Sequence, residues 1–544
     1  MNQEPNLFNR RNLLMGALLL LLLRLPAIPS LRFKVDELQH LHVARSLAAG
    51  QVMYVDFFEH HTPLFHLLLS PLFSMMGDEI LTLFASRWLM FILNLGFLWV
   101  MHAIATRVQD SEAAAVAVLF LVASPLLWEK TSEVRPAVLL MFFLAVAVYW
   151  AMQAGTGRAA AGWASGVALG AAVMTTQKAF PIALCLILGV VLNRRLPGVA
   201  SFIAGGRMLA GSVAVGGVAA FLMSRAGNLH AFLTMALDLN LNWRYSFSPW
   251  GVFTAILAAD PFIPALGVAW LLSLFERRRD HAGDPDKQLL IMVLIGSAAL
   301  IYLVPEPYLQ TFVPLIGFLA LPAAFMVTGY RACPSWLRVV ISFLVTGEVL
   351  LHHKLARITH PQVVVRLLQG LVVLALLWAV HEGSHRWRRI AAAGFLGTLL
   401  SVGVMAQLAR SMTADAGQQL WLISYIRQRV PDGETVLDGW TGLGVLRDHA
   451  CYYWFFHRGV LTTIDGAVRD RVLLEILRDR PPWLILYDQP LSEVSDGANR
   501  CIRACYHRTV SPQVYEPGPP MDEREQAPVK HRGRGGQARW LERE

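Results

Sequence analysis

Long apolar runs separated by short polar turns fill the first 410 residues of this 544-residue chain. Runs of roughly 17 to 25 apolar residues have the length of an α-helix that crosses a bilayer. The pattern therefore predicts an all-α membrane domain over residues 1–410 with about thirteen transmembrane helices. The predicted spans lie near residues 13–30, 81–106, 113–128, 137–152, 163–175, 180–192, 208–224, 261–275, 288–304, 309–328, 336–351, 363–380 and 390–408.

The pattern changes after residue 410. The segment WLISYIRQRVPDGETVLDGW indicates a helix, a Pro-Asp-Gly turn and a strand, and VLLEILRDRPPWLILYD repeats the helix and the strand. Residues 411–516 are therefore predicted to form a small α/β domain. Residues 517–544 are rich in Pro, Gly and charge, and this composition predicts a disordered tail.

Composition and charge agree with a membrane protein. The chain is 55% hydrophobic and 16% charged, whereas soluble domains carry about 25% charged residues. Lys and Arg collect on alternate loops, which predicts a cytoplasmic N-terminus and an external C-terminal domain. The net charge of +9 is largely this positive-inside signal and indicates no nucleic-acid partner. No N-x-Ser/Thr acceptor occurs in the sequence, and we expect a bacterial inner membrane with the domain in the periplasm.

Two loops on the external side, residues 31–80 and 225–260, are long enough to carry function. In the first loop, residues 35–49 have a helical pattern with an apolar stripe, Asp36 and His40 lie one turn apart, and Gly50 is a C-cap signal. A second helix is predicted at LFHLLLSPLFSMM, lying along the membrane surface after a Thr-Pro pair.

Acidic and histidine side chains crowd the same loop, and two interpretations are open. Asp36 and Glu37 suit the first turn of any helix, and the histidines suit a membrane interface. Alternatively, these carboxylates and imidazoles form a reactive or metal-binding site. We expect the adjacent His60 and His61 to point in opposite directions, because neighbouring side chains alternate in extended chain.

The order of these motifs resembles the GT-C glycosyltransferases, in particular bacterial relatives of protein O-mannosyltransferases and of lipid A aminoarabinose transferases. The resemblance rests on a first span, a helix of the form DE-x-x-x-x-x-x-A-R-x-L-x-x-G, an aromatic and acidic stretch, and then E-x-x-x-P-L. It implies a GT-C-type membrane enzyme that takes a sugar from a polyprenyl-phosphate-linked donor. The expected reaction is an inverting single displacement on the outer face.

The resemblance also implies roles for particular residues. Asp36, with Glu37 beside it, occupies the position of the catalytic acidic residue, which accepts the proton of the acceptor. Glu59 occupies a position associated with the donor phosphate or a divalent ion, and the sequence EHHTP places His60 where relatives have another basic residue. Glu59 and His61 are therefore candidate ligands of a divalent metal ion, and His60 is a candidate phosphate-binding residue.

Cationic side chains are also needed where charge develops on the leaving phosphate. The candidates on the outer side are Lys178 in TTQKAF, Arg244 in LNWRYSF and Arg135 in SEVRP, and Glu133 is the candidate for a second acidic group. We expect Arg24 and Arg87, near the outer ends of their spans, to be snorkelling anchors.

A transporter or flippase for a lipid-linked saccharide is the alternative function, and an assembly protein without chemistry is a third. Transporters usually place ionisable residues near the middle of the bilayer, whereas the charge cluster here is external. The sequence leaves open the sugar, the oligomeric state and the acceptor, which is a lipid, a glycan or a protein. One disulfide among Cys451, Cys501 and Cys505 is compatible with the sequence.

Overall fold

The computed structural model describes residues 10–193, 198–242, 250–251, 254, 256, 260, 262–276, 284–304, 308–328, 416–453, 456, 461 and 465–518. The predicted spans near 336–351, 363–380 and 390–408 lie outside these residues, as does the predicted disordered tail from residue 519 onward. The described helices up to residue 193 are α1 (Arg10–Arg24), α2 (Ala27–Ser30), α3 (Val35–Ala48), α4 (Leu64–Met76), α5 (Ile80–Val108), α6 (Ser111–Ala123), α7 (Pro125–Ser132), α8 (Pro136–Ala154), α9 (Ala159–Thr175) and α10 (Phe180–Val191).

The described helices after residue 193 are α11 (Gly198–Arg225), α12 (Leu229–Phe232), α13 (Leu239–Leu241), α14 (Phe262–Glu276), α15 (Pro285–Leu303), α16 (Val313–Thr328), α17 (Gly417–Arg429), α18 (Gly466–Asp479), α19 (Gln489–Val494) and α20 (Asp496–Cys505). A π-helical turn, Leu233–Asp238, joins α12 to α13, and 3-10 turns, Gln177–Ala179 and Leu309–Phe312, precede α10 and α16. The chain divides into two units. The first unit comprises the described residues within 1–31, 87–223 and 246–414, and the second comprises those within 32–86, 224–245 and 415–544.

The first unit is a helical membrane domain. Its helices pack in pairs, with α8 against α9, α10 against α15, α14 against α16 and α1 against α6. Within the described part of the chain, five helical segments are long and apolar enough to cross a membrane: Arg10–Ser30, Ile80–Val108, Pro136–Ala154, Gly198–Arg225 and Leu309–Thr328. Several other predicted spans form shorter apolar helices, such as α9 and α14. The fold class is confirmed, whereas the number of spans stays a prediction.

The predicted span near 113–128 is wrong in one respect, because it consists of two helices bent by 66°. Pro125 cannot continue α6 because it lacks an N–H group and its ring clashes with the preceding turn. The hydroxyl of Ser124 instead accepts a hydrogen bond of 3.1 Å from the backbone N–H of Leu127 and caps the start of α7. Counted as one span, this bent pair raises the number of described spans to six.

Arg24 and Arg87 do not snorkel, because both side chains are buried in the first unit. The Arg87 guanidinium donates hydrogen bonds of 2.9 and 2.6 Å to the carbonyl oxygens of Ile28 and Leu31, at the end of α2. Arg24 donates to the carbonyl oxygen of Val122 near the end of α6. Both arginines therefore stabilise helix ends, where backbone carbonyls lack partners within the helix.

Close packing of α9 against α11 depends on glycines four residues apart. A Cβ atom at Gly166 would lie 2.2 Å from the backbone oxygen of Met208, and Gly162 and Gly170 face the same helix. The Ser212 hydroxyl donates a hydrogen bond of 2.9 Å to the carbonyl oxygen of Gly166. In a membrane, helix association relies on such close approach, since lipid tails are as apolar as the side chains they replace.

The second unit contains α3, α4, residues 228–242 and the C-terminal domain. The strands of this domain are β1 (Thr435–Asp438), β2 (Asp448–His449), β3 (Leu484–Leu486), β4 (Tyr506–Arg508) and β5 (Val514–Pro517). They form a five-stranded sheet of order β2–β1–β3–β5–β4, in which the first three strands are parallel and β5 runs antiparallel to β3. The predicted helix, turn and strand pairs are present as α17 with β1 and as α18 with β3. Cys451, Cys501 and Cys505 are free thiols.

We expect Gly166→Ala to lower the thermal stability of the detergent-solubilised chain, because a methyl group there forces α11 away from α9, at a cost of about 1–3 kcal/mol. Gly206→Ala on α11 is the matched control, since a Cβ atom there meets nothing within 4 Å. Alanine favours a helix over glycine by about 1 kcal/mol, so the control should be neutral or slightly more stable. Equal melting temperatures for the two variants would contradict this packing.

Candidate functional site

The candidate site begins at the N-terminus of α3. Asp36 and Glu37 lie in its first turn, where carboxylates interact favourably with the helix dipole. Glu37 is fully buried, and its carboxylate accepts a hydrogen bond of 2.9 Å from the backbone N–H of Lys34. This bond fixes the start of the helix and hence the position of Asp36, which is half-buried. Glu37 thus has a structural role, as expected of a carboxylate in the first turn of a helix.

Helix α3 is buried on all sides, which the predicted apolar stripe did not indicate. The side chain of Gln419 holds both backbone groups of Phe33 just before the helix, accepting a hydrogen bond of 2.8 Å and donating one of 2.9 Å. His42 bonds the carbonyl oxygen of Val445 at 3.3 Å. Burial, with smaller contributions from Arg45 and His449, lowers the pKa of His42 well below its usual value. The C-terminal domain therefore fixes the helix that carries Asp36.

Arg45 connects α3 to two further parts of the second unit. Its guanidinium pairs with Asp78 at 2.9 Å and with Asp448 at 2.7 Å. These residues line a cleft of about 800 Å³ together with Arg427 and Arg447. Arg427 pairs with Glu79, and Arg447 pairs with Asp432 at 3.2 Å. The cleft is polar, and its charges are arranged in ion pairs.

The segment Glu59–His61 folds around the buried carboxylate of Glu59. One oxygen, Oε1, accepts hydrogen bonds from the backbone N–H groups of His60 at 2.8 Å and His61 at 2.9 Å. The Nδ1 atom of His61 lies 2.6 Å from the same oxygen, and that of His60 lies 3.5 Å from it. The expectation that the two histidines point apart is therefore wrong, because the chain turns around the carboxylate rather than running extended.

Two further histidines lie at the other side of Glu59. His40 Nδ1 on α3 lies 3.0 Å from His66 Nε2 on α4, and His66 Nε2 lies 3.9 Å from Glu59 Oε2. His40, Glu59 and His66 are all buried, with potential ligand atoms within 4.8 Å of one another, and Glu59, His60 and His61 form a second such group. His66 was not among the residues selected from the sequence, because it stands in the apolar run LFHLLL. The short distance in sequence between His66 and the pair His60 and His61 was the signal that could have identified it.

Burial governs the protonation of His66. It lowers the pKa of His66 to about 4, although the nearby Glu59 carboxylate opposes the shift. His66 is therefore a neutral imidazole near pH 7, the form that binds a metal. Glu59 Oε2 has no hydrogen-bond partner among the described residues, and buried carboxylate oxygens normally have one. Two imidazoles and a carboxylate are a ligand set that zinc and similar divalent ions accept.

Asp36 lies near this cluster along the helix. It precedes His40 by four residues, so both side chains are on one face of α3, with Cβ atoms roughly 6 Å apart. His60 is further fixed by the Asn240 side chain, which donates a hydrogen bond of 2.8 Å to its carbonyl oxygen. The second unit thus brings together Glu59, His60 and His61, three residues selected from the sequence, and places Asp36 one helical turn from His40.

The remaining candidates lie in the first unit or outside the described residues. Lys130 approaches Glu133 at 3.5 Å, and Arg135 bonds the other oxygen of the same carboxylate. Lys178 stands in the 3-10 turn before α10, and its Nζ donates a hydrogen bond of 3.2 Å to the Thr311 hydroxyl. Arg244 lies outside the described residues. Lys130, which is buried beside Glu133, was not among the residues selected from the sequence.

Comparison with solved structures identifies the fold. ArnT from Cupriavidus metallidurans bound to undecaprenyl phosphate matches with a TM-score of 0.61 and 13% identity, over 88% of this chain and 94% of that one. An oligosaccharyltransferase from Archaeoglobus fulgidus matches with a TM-score of 0.52 and 12% identity, over 94% and 75%. The arabinosyltransferase EmbB from Mycobacterium smegmatis matches with a TM-score of 0.51 and 15% identity, over 74% and 41%.

These neighbours define the class of fold. The chain has the fold of the GT-C membrane glycosyltransferases, as the resemblance in the loop of residues 31–80 implied. No protein-family model and no curated protein matches the sequence. At identities of 10–15% the shared property is the fold, so the reaction has to be argued from the site.

We expect Glu59→Ala to destabilise the chain by about 1–3 kcal/mol, because it leaves the N–H groups of His60 and His61 without their acceptor. Glu59→Gln retains an acceptor oxygen and should cost less. The measurement is the melting temperature of each purified variant in the same detergent. A loss for Glu59→Gln as large as that for Glu59→Ala would mean that the negative charge, rather than the acceptor, stabilises the turn.

Proposed function

We propose that this protein is an integral membrane glycosyltransferase that moves a sugar from a polyprenyl-phosphate-linked donor to an acceptor. The observation that carries the proposal is the shared fold, which extends over 88% of the chain in the comparison with ArnT bound to undecaprenyl phosphate. The position of Asp36 supports it further. This carboxylate opens a helix that directly follows the first predicted span, where a lipid-anchored sugar phosphate would meet a water-exposed acceptor.

In the proposed reaction, Asp36 is the general base. Its carboxylate takes the proton of the acceptor hydroxyl while the acceptor oxygen bonds to the anomeric carbon of the sugar. The bond from that carbon to the phosphate oxygen breaks, and polyprenyl phosphate leaves with the electron pair. A single displacement of this kind inverts the anomeric centre. Glu37 positions Asp36 by fixing the first turn of α3.

Cationic groups are proposed to stabilise the leaving phosphate, on which negative charge increases. The candidates are Lys178, Arg135, Arg244 and His60. The hydrogen bond of Lys178 to Thr311 holds its ammonium group in place. Glu133 orients Arg135 through their ion pair. Glu133 therefore has two alternative roles, either to orient Arg135 or to act as a second acidic group in the reaction.

We further propose that Glu59 and His61, together with His40 and His66, bind a divalent metal ion. Two groups of potential ligand atoms share Glu59 and support this assignment: the buried set of His40, Glu59 and His66, and the set of Glu59, His60 and His61. Glu59 Oε2 accepts no hydrogen bond from the described residues and could bind the ion. A bound ion would supply positive charge near the donor phosphate. The histidines themselves position the loop that carries Glu59 against α3, through the contact between His40 and His66.

The proposed topology follows from the charge pattern. The N-terminus is cytoplasmic, the site and the C-terminal domain face the periplasm of a bacterial inner membrane, and the domains are residues 1–410, 411–516 and 517–544. The acceptor is a lipid, a glycan or a protein. The labelled product of the transfer reaction would identify its class and the sugar.

The proposal predicts that Asp36→Asn abolishes transfer of radiolabelled sugar from polyprenyl-phosphate donors, assayed in membranes with matched expression. Loss of a general base typically lowers the rate by about 10²–10⁴-fold. Asp56→Asn is the matched control, because Asp56 lies in the same loop but its carboxylate accepts a hydrogen bond of 2.6 Å from the backbone N–H of Val52. Equal turnover by wild type and Asp36→Asn would remove Asp36 from the mechanism. Absence of turnover with every donor would favour the transporter.

The metal proposal predicts that the purified chain, dialysed against zinc and then against buffer, retains about one equivalent of zinc by mass spectrometry. His66→Ala should lower the retained zinc severalfold, because it removes one of the buried ligands. His42→Gln is the control, since His42 lies on the same helix as His40 but contacts Val445. Retention that is equal in wild type and His66→Ala would contradict the proposed ligand set.

A further inference from the structure

Arg24 is a buried cation in the first unit, and it has no carboxylate partner among the described residues. Its side chain is 4% exposed. One guanidinium nitrogen donates to the carbonyl oxygen of Val122, and the guanidinium carbon lies 5.7 Å from the centre of the Trp128 ring. Neither contact supplies a negative charge. Because an uncompensated charge is costly to bury, a counter-ion is expected at this place.

Two hydrogen-bond donors at this contact also lack acceptors. Arg24 Nε and Trp128 Nε1 are both buried and have no hydrogen-bond partner among the described residues. Buried donors are satisfied in the great majority of cases, and here the two donors belong to side chains in direct contact. A group with several acceptor oxygens and a negative charge would satisfy both donors and balance the arginine.

The neighbouring groups favour a lipid as the source of that charge. The carboxylate of Asp260 accepts a hydrogen bond from the hydroxyl of Ser124, which lies between α6 and α7, and it forms no described ion pair with Arg24. The turn of α1 before Arg24 exposes Leu19, Leu22 and Leu23, a surface suited to an acyl or prenyl chain. Arg24 itself ends α1, six residues before the end of the segment Arg10–Ser30, and the ends of membrane spans are where lipid headgroups are expected.

We propose that Arg24 and Trp128 bind the phosphate headgroup of a membrane lipid at the bend between α6 and α7. Phosphate suits the pair because guanidinium groups bind phosphate oxygens with charge-assisted hydrogen bonds. The indole N–H adds a second, neutral donor to the same headgroup. This site is formed by the first unit and does not depend on the proposed glycosyl transfer.

The test measures binding of radiolabelled phosphatidic acid to the full chain in phosphatidylcholine nanodiscs. Phosphatidic acid is the probe because a polyprenyl phosphate would also be expected at the site proposed for transfer. Arg24→Gln should lower the affinity roughly 10-fold or more, and Trp128→Phe, which keeps the ring but loses the N–H donor, about 3-fold. Arg87→Gln is the control: Arg87 is buried in the same unit, and it already donates to two carbonyl oxygens.

Competition identifies the source of the phosphate. Unlabelled phosphatidic acid should displace the probe, whereas diacylglycerol and millimolar inorganic phosphate should not. Displacement of the probe by inorganic phosphate alone would mean that the site binds a free anion, and it would overturn the assignment of a lipid. Unchanged affinity in Arg24→Gln, with a lower melting temperature, would mean that Arg24 only joins α1 to α6. If Arg24→Gln does not fold, an unchanged affinity of Trp128→Phe overturns the proposal.

Discussion

The arrangement of the site depends on keeping one carboxylate, that of Glu59, out of water. A buried carboxylate is tolerated only when donors surround it, because its desolvation costs several kcal/mol. Here the backbone N–H groups of two successive residues and an imidazole meet at one oxygen. The chain must turn to achieve this, and the turn places His60 and His61 on the same carboxylate. His66 then approaches the second oxygen from α4 and joins it to α3 through His40.

Local signals in the sequence were sufficient for much of the fold. Helix α3 begins and ends close to the predicted residues, because Asp36 and Glu37 suit its first turn and Gly50 adopts a φ of 85° after its end. The helix and strand pairs of the C-terminal domain were likewise predicted from local signals, such as the Pro-Asp-Gly turn between α17 and β1. The break between α6 and α7 was missed because hydropathy averages over Pro125, whereas the missing N–H of proline acts at a single position.

The site was predictable only in part, because its partners come from distant segments. Asp36, Glu59, His60 and His61 lie within one loop, and their residue types suggested chemistry. His66 was hidden in an apolar run, where a histidine normally indicates nothing more than packing. The pairing of Glu133 with both Lys130 and Arg135 likewise depends on how the chain turns before α8, and residue spacing does not determine that turn.

The contacts of α3 with the C-terminal domain have a consequence for biosynthesis. Gln419, which holds Phe33, is separated from it by 386 positions, and Asp448, which pairs with Arg45, by 403. A ribosome adds these partners only after every predicted membrane span has been translated. The helix carrying Asp36 therefore gains these contacts only after residues 419 and 448 have been translated. Assembly of the site is in this way coupled to translation of the C-terminal domain.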